Sequence, residues 1–126
     1  MPDNSLIAAH ALAYLGDAVL EVLVRERLLN LGFEKSSTLN EQALSYVTAK
    51  NQALAFENIE ASLTEKELGI FRRGKNSSHL NVPKSASIKE YKIATGFEAV
   101  FGYLKLENQT DRIVELFSLA FPKLFT

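Results

Sequence analysis

The chain has 126 residues and a mass of 14.0 kDa, and its 47% hydrophobic and 23% charged residues are the balance of one globular domain and not of a disordered segment. It contains no cysteine, which excludes disulfides, thiolate zinc sites and thiol nucleophiles, and its two histidines, His10 and His79, stand too far apart for an i, i+4 metal pair. The formal charge is −1, yet between positions 72 and 92 six cations (Arg72, Arg73, Lys75, Lys84, Lys89 and Lys92) meet one acid, Glu90, a concentration that points to an anionic partner.

Apolar residues recur at three- and four-residue steps nearly throughout. The first predicted helix covers residues 5–29, with Gly32 placed to end it in a left-handed cap. Ser36, Ser37 or Thr38 can cap a second helix, with Glu41 three residues after Thr38 as in a capping box. A third is expected over 48–60, and a fourth opens at Thr64, whose following acids suit a helix N-terminus. From 74 to 86 the pattern stops in GKNSSHLNVPKSA, a connection long enough to suggest a functional loop. Helix resumes near Ser87, and a last one is expected over 109–119 before Pro122. No strand pattern, repeat or linker is apparent, so the expectation is an all-α fold in one domain spanning 1–126. The longest apolar run, residues 11–15, is far short of the roughly 18 residues a membrane helix needs. The opening MPDNSL reads as neither signal nor transit peptide, so a soluble, cytoplasmic protein with no membrane partner is expected.

Two carboxylates do not fit this pattern. In ALAYLGDAVLEVLV only Gly16, Asp17 and Glu21 interrupt apolar character, so Asp17 is expected to approach the interior. Glu98 is the one charge between Lys92 and Lys105. Burying either ion unpaired would cost several kcal/mol. Gly16 beside Asp17 and Gly96 near Glu98 would let another helix or a ligand approach. Three readings stay open: Asp17 as an N-cap after a break at Gly16, ion pairs of both acids with buried arginines, or a shared metal or catalytic site.

The run LAYLGDAVLEVLVRERLL resembles the signature helix of ribonuclease III catalytic domains, and ATGFEAVFGYLKL resembles their second acidic motif. With SYVTAKNQA, FRRGKN and VPKSASIKEYKIATGFEAVFGYL between and around them, the order is similar to the Mini-III branch, which lacks a double-stranded RNA-binding domain. The correspondence runs from about position 11 to 106. Full-length ribonuclease III carries acids where this chain has Ala13 and Thr95, so two of the four family carboxylates remain, Asp17 and Glu98.

The resemblance implies an all-helical homodimer that cleaves double-stranded RNA with Mg²⁺ (Mn²⁺ as a substitute), with large-subunit 23S ribosomal RNA precursor as the associated substrate and room for a ribosomal-protein helper. It implies Asp17 and Glu98 as the catalytic and metal-holding residues, with water completing the octahedral shell that Mg²⁺ demands. Arg72, Arg73, Lys75, Asn76 and Lys84 are the expected RNA contacts, with Thr95 and Ser85 as weaker candidates, and binding should be weak and strongly salt-dependent. The resemblance also implies that the nearly all-round apolar signature helix packs against its symmetry mate in a twofold interface. Leu12, Leu15, Val19 and Leu23 are the expected interface residues, and with Tyr14 and Val22 they offer both the core and the interface face. Glu21 is expected in a surface or interface ion pair. Two alternatives are a non-catalytic duplex-RNA-binding or ribosome-assembly module of the same fold, and a helical dimer for protein assembly, which would leave the basic stretch unexplained.

Overall fold

The structure is a computed structural model describing residues 3–77 and 86–126. Among these residues the chain forms α1 (Ala9–Asn30), α2 (Ser36–Val47), α3 (Ala49–Ile59), α4 (Glu65–Lys75), α5 (Ile88–Leu106) and α6 (Thr110–Ala120), with short 3-10 turns at Asn4–Leu6, Glu60–Ser62 and Pro122–Phe125. No strand occurs among the described residues, and no helix there is long and apolar enough to cross a membrane.

Local signals set most of these boundaries. Thr64 and Ser87 each accept a hydrogen bond from the amide three residues on, the Glu67 and Glu90 carboxylates accept one in return from the cap amide, and both capping boxes close. Thr48 caps α3 and separates it from α2. Gly32, at φ +98°, ends α1 as expected: its amide and that of Phe33 return to Leu29 and Leu28. Asn108, at φ 55°, does the same for α5, with its own amide and that of Gln109 on Lys105 and Leu104. Three boundaries differ from expectation. Residues 5–8 do not join α1, because Asp3 caps a separate 3-10 turn through Ser5. The Thr38–Glu41 box does not form, since α2 already begins at Ser36. Gly74 and Lys75, expected in the loop, complete α4.

The core is organised around α5, on which α1, α3 and α4 all pack. From position 94 to 104 every residue of α5 but Glu98 is buried, and Phe97 and Phe101 are wholly enclosed. Glycines set two crossings. A Cβ on Gly16 of α1 would stand 1.7 Å from the Glu98 carbonyl oxygen, and one on Gly102 would stand 1.9 Å from that of Leu12. At the other crossing a Cβ on Gly74 of α4 would lie 2.8 Å from the Gly96 Cα, and one on Gly96 would lie 2.5 Å from the Phe71 carbonyl oxygen. Phe56 of α3 stacks on Phe71 of α4 with centroids 3.9 Å apart. Glu67, only 4% exposed, is matched by Arg112 of α6, whose Nε and Nη2 donate to its two oxygens at 3.0 and 2.8 Å. Burial alone would raise the Glu67 carboxyl pKa, but these bonds and the Thr64 amide outweigh it and hold it below the usual range.

Candidate active site

The α1–α5 crossing that Gly16 and Gly102 permit brings the two anomalous acids together, although 81 positions of sequence separate them. On α1, His10, Ala13, Tyr14 and Asp17 follow i, i+3, i+4, i+7 and share one face; on α5, Tyr91, Thr95 and Glu98 do the same. These residues, with Ala11, line one open cleft of about 460 Å³. Ala13 and Thr95, the positions at which the resemblance leads one to expect acids, lie in the same cleft as Asp17 and Glu98.

Asp17 is exposed on the cleft wall, not interior as expected, because the α1 face carrying it opens onto the cleft and not onto α5. Helix α1 runs unbroken through Gly16, so Asp17 is not an N-cap. The arginine pairings do not form either: the ion pairs among the described residues, Arg25–Glu21, Arg112–Glu67 and Arg112–Glu115, involve neither acid. Glu21 does pair on the surface, with Arg25 at 3.3 Å.

Glu98 is half-buried and meets Asp17 within hydrogen-bonding reach. Desolvation first, then the neighbouring Asp17 charge and hydrogen bond, push its carboxyl up to about 8, against a smaller opposing effect of a hydrogen bond from Gln52. The donor chemistry fits a hard divalent ion, with two carboxylates bordering a cleft roomy enough for ligand waters. No group of three or more His, Cys, Asp or Glu that could hold a metal exists among the described residues.

The basic segment approaches the same place. The α4–α5 crossing sets Gly74 against Thr95 and Gly96, so the cationic end of α4 abuts the stretch of α5 that lines the cleft. Arg72, Lys75 and Asn76 are exposed there. Arg73 is engaged otherwise: its guanidinium donates to the carbonyls of Ser5 and, at 2.6 Å, of Ile7, tying the N-terminal turn to α4. Lys84, Ser85 and His79 lie outside the described residues. Thr95 is 6% exposed and its hydroxyl donates to the Tyr91 carbonyl at 2.9 Å, which suits a lining role better than a long reach to a phosphate.

The expected interface set changes as well. Leu12 is 1% exposed and belongs to the core at the α5 crossing, so it contributes no free surface. Leu15, Val19 and Leu23 do border an apolar groove with Ala18, Val22, Ile113 and Val114, and Val22 is 54% exposed there.

The chain matches the ribonuclease III domain family over residues 10–109. It belongs to the ribonuclease III family. It is 46% identical to the Mini-ribonuclease 3 of Symbiobacterium thermophilum over 109 residues, covering 86% of this chain and 84% of that protein. It is 40% identical to the Mini-ribonuclease 3 of Streptococcus pneumoniae over 125 residues, covering 98% of each. A crystal structure of a Fusobacterium nucleatum protein superposes with a TM-score of 0.87 at 32% identity, covering 94% of this chain and 97% of that one. Among the described residues the fold is all helical. Within it, sequence reasoning missed Gln52, Glu67 and Arg112: each lies on an ordinary amphipathic helix, and only the tertiary crossings bury or pair it.

Proposed function

We propose that this chain is an endoribonuclease that hydrolyses phosphodiesters in double-stranded RNA with a divalent cation, Mg²⁺ by preference, and that ribosomal RNA precursor is its substrate class. The observation that carries the reading is the convergence of Asp17 and Glu98 on one cleft in a ribonuclease III domain, beside the cationic end of α4. Asp17 and Glu98 are the residues that would hold the ion. When bound, it supplies an acidified water and neutralises charge building on the phosphate. Exposed Asp17 reaches ions from solvent, whereas Glu98, fixed on the buried hub helix, defines where they stop. Ala13 leaves room on the α1 wall for water where a larger side chain would stand. Arg72, Lys75 and Asn76 offer donors to phosphates and 2′-hydroxyls, the features by which A-form duplexes are recognised. The apolar groove of α1 and α6 supports a twofold partner, which would present two clefts and two basic stretches to the two strands.

Incubating a long RNA duplex with Mg²⁺ and either wild-type protein or Asp17→Asn tests the reading. Wild type should cut the duplex, and the variant should retain its fold while its rate falls about a hundredfold or more, the scale of losing a preorganised electrostatic contact. Retention of duplex without cleavage by wild type would favour a binding module, and undiminished cleavage by the variant would remove Asp17 from the chemistry.

A further inference from the structure

The chain has four tyrosines, and the fold employs two of them. Tyr46 sets its ring edge-on against Phe121, and Tyr103 is buried with its hydroxyl donating to Glu107 at 3.1 Å. Tyr14 and Tyr91 belong neither to the hydrophobic core nor to a ring pair, and their hydroxyls make no hydrogen bond among the described residues. Both stand in the cleft, Tyr14 on the α1 wall and Tyr91 on the α5 wall. Tyr14 is 85% exposed, whereas Tyr91 is half-buried on the hub helix, which restricts where its phenol can point. It precedes Glu98 by two helical turns, about 10 Å along the wall. On the turn between them, Thr95 is 6% exposed and has given its proton to the Tyr91 carbonyl at 2.9 Å. Of the hydroxyls on that wall, the Tyr91 phenol is therefore the one that can still both donate and accept.

We propose that Tyr91 is a specificity-determining residue whose hydroxyl pairs with a ribose 2′-hydroxyl on a nucleotide beside the bond that is cut, so that the cleft distinguishes RNA from DNA. The inference deepens the reading of the Asp17–Glu98 cleft as the cleavage site and rests on it. The chemistry of the ligand follows from the wall. A phosphate oxygen only accepts and brings charge, and the exposed cations at the end of α4 suit it. A ribose hydroxyl donates and accepts, as a phenol does, and it is the group that marks RNA. Neutrality matters at this position. An Arg or Lys there would be drawn to the two acids, and an Asp or Glu would repel a polyanionic strand. The offset of two turns puts the contact on a neighbouring nucleotide and leaves the space between the carboxyls to the cation.

The test is single-turnover cleavage in Mg²⁺ by wild type and Tyr91→Phe, with thermal unfolding and Mn²⁺ titration of both proteins. The substrates are a short RNA duplex and a series in which one ribose at a time near the cut is replaced by 2′-deoxyribose. Phenylalanine keeps the ring and removes the hydroxyl. Wild type should lose about threefold to tenfold in rate at one position of the series, the scale of one neutral hydrogen bond. Tyr91→Phe should show that loss already on the all-ribose duplex and no further loss at that position, while it keeps wild-type sensitivity elsewhere. Its Mn²⁺ affinity and Tm should match wild type, since the phenol holds neither the ion nor the core. Wild-type rates for Tyr91→Phe on the all-ribose duplex would overturn the proposal. So would a slower variant that responds to every deoxyribose as wild type does, which would make Tyr91 structural. Loss of the folded state in Tyr91→Phe would overturn it as well, because the hydroxyl would then serve the fold. A series with no sensitive position in wild type would overturn it without recourse to the variant. If wild type cuts no duplex at all, the functional reading itself falls and takes this inference with it; if wild type cuts and the variant matches it, only the role of Tyr91 falls.

Discussion

Glu98 interrupts a buried stretch of α5 and faces a second carboxyl group, so its charge opposes folding until a proton or a cation arrives. Its carboxyl sits near 8 in the folded chain against 4.5 for an ordinary glutamate, and the native state therefore holds the extra proton between those values. The sign follows from linkage: this contribution is complete below about pH 4.5 and is lost as pH rises towards about 8. Thermal melts in EDTA should show wild type losing Tm relative to Glu98→Gln across that window, and excess Mg²⁺ should restore it. A constant difference between the two proteins over the window would contradict the pairing of the carboxyls. Glu67 acts in the opposite direction, because Arg112 and the Thr64 amide hold its pKa down; its contribution is lost only as pH falls below the ordinary glutamate range. At this scale the sequence was half legible. Asp17 and Glu98 stand out as isolated charges in apolar runs, and the family resemblance names both. The exposure of Asp17, the diversion of Arg73 to the N-terminal turn and the burial of Gln52 depend on which helix faces cross, which no local pattern encodes.

Helices were legible wherever a cap or a terminator was strong: Thr64, Ser87, Thr48 and Gly32 all act where the pattern suggests. The Thr38–Glu41 pairing failed because matching residue types do not make a cap when the helix has already started. The two glycine crossings were legible only as a hint that something comes close to each acid. Gly16 admits α5, and Gly96 admits α4. They set the geometry of the cleft, because a wider α1–α5 separation would part the carboxyls. Gly16→Ala places a Cβ against backbone that cannot yield, and should destabilise the fold by about 3 kcal/mol or more. Gly69→Ala, within α4 and with nothing within 4 Å of the added methyl, should stabilise it by roughly 0.5–1 kcal/mol. Urea denaturation of both variants checks the contrast, and equal effects would mean that the crossing is not tight.

For the whole molecule, α1 serves two clients. Its cleft face carries Asp17, and a neighbouring face forms, with α6, an apolar groove lined by Leu15, Val19, Val22 and Leu23. The nearly continuous apolar character of α1 hid this division, which is why Leu12 was expected at an interface and lies in the core instead. Val22→Glu alters exposed groove surface without touching core or cleft. It should leave the chain folded but shift it from dimer to monomer in sedimentation and reduce duplex cleavage; a variant that sediments as wild type would place the partner elsewhere.

Calorimetric titration of Mn²⁺ into wild type, Asp17→Asn and Glu98→Gln addresses the central claim most directly, since it needs neither RNA nor turnover. A saturable site in wild type that disappears in each single variant, with all three proteins folded, is the result expected if the two carboxylates hold one ion between them. Undiminished binding in either variant, or none in wild type, would contradict it.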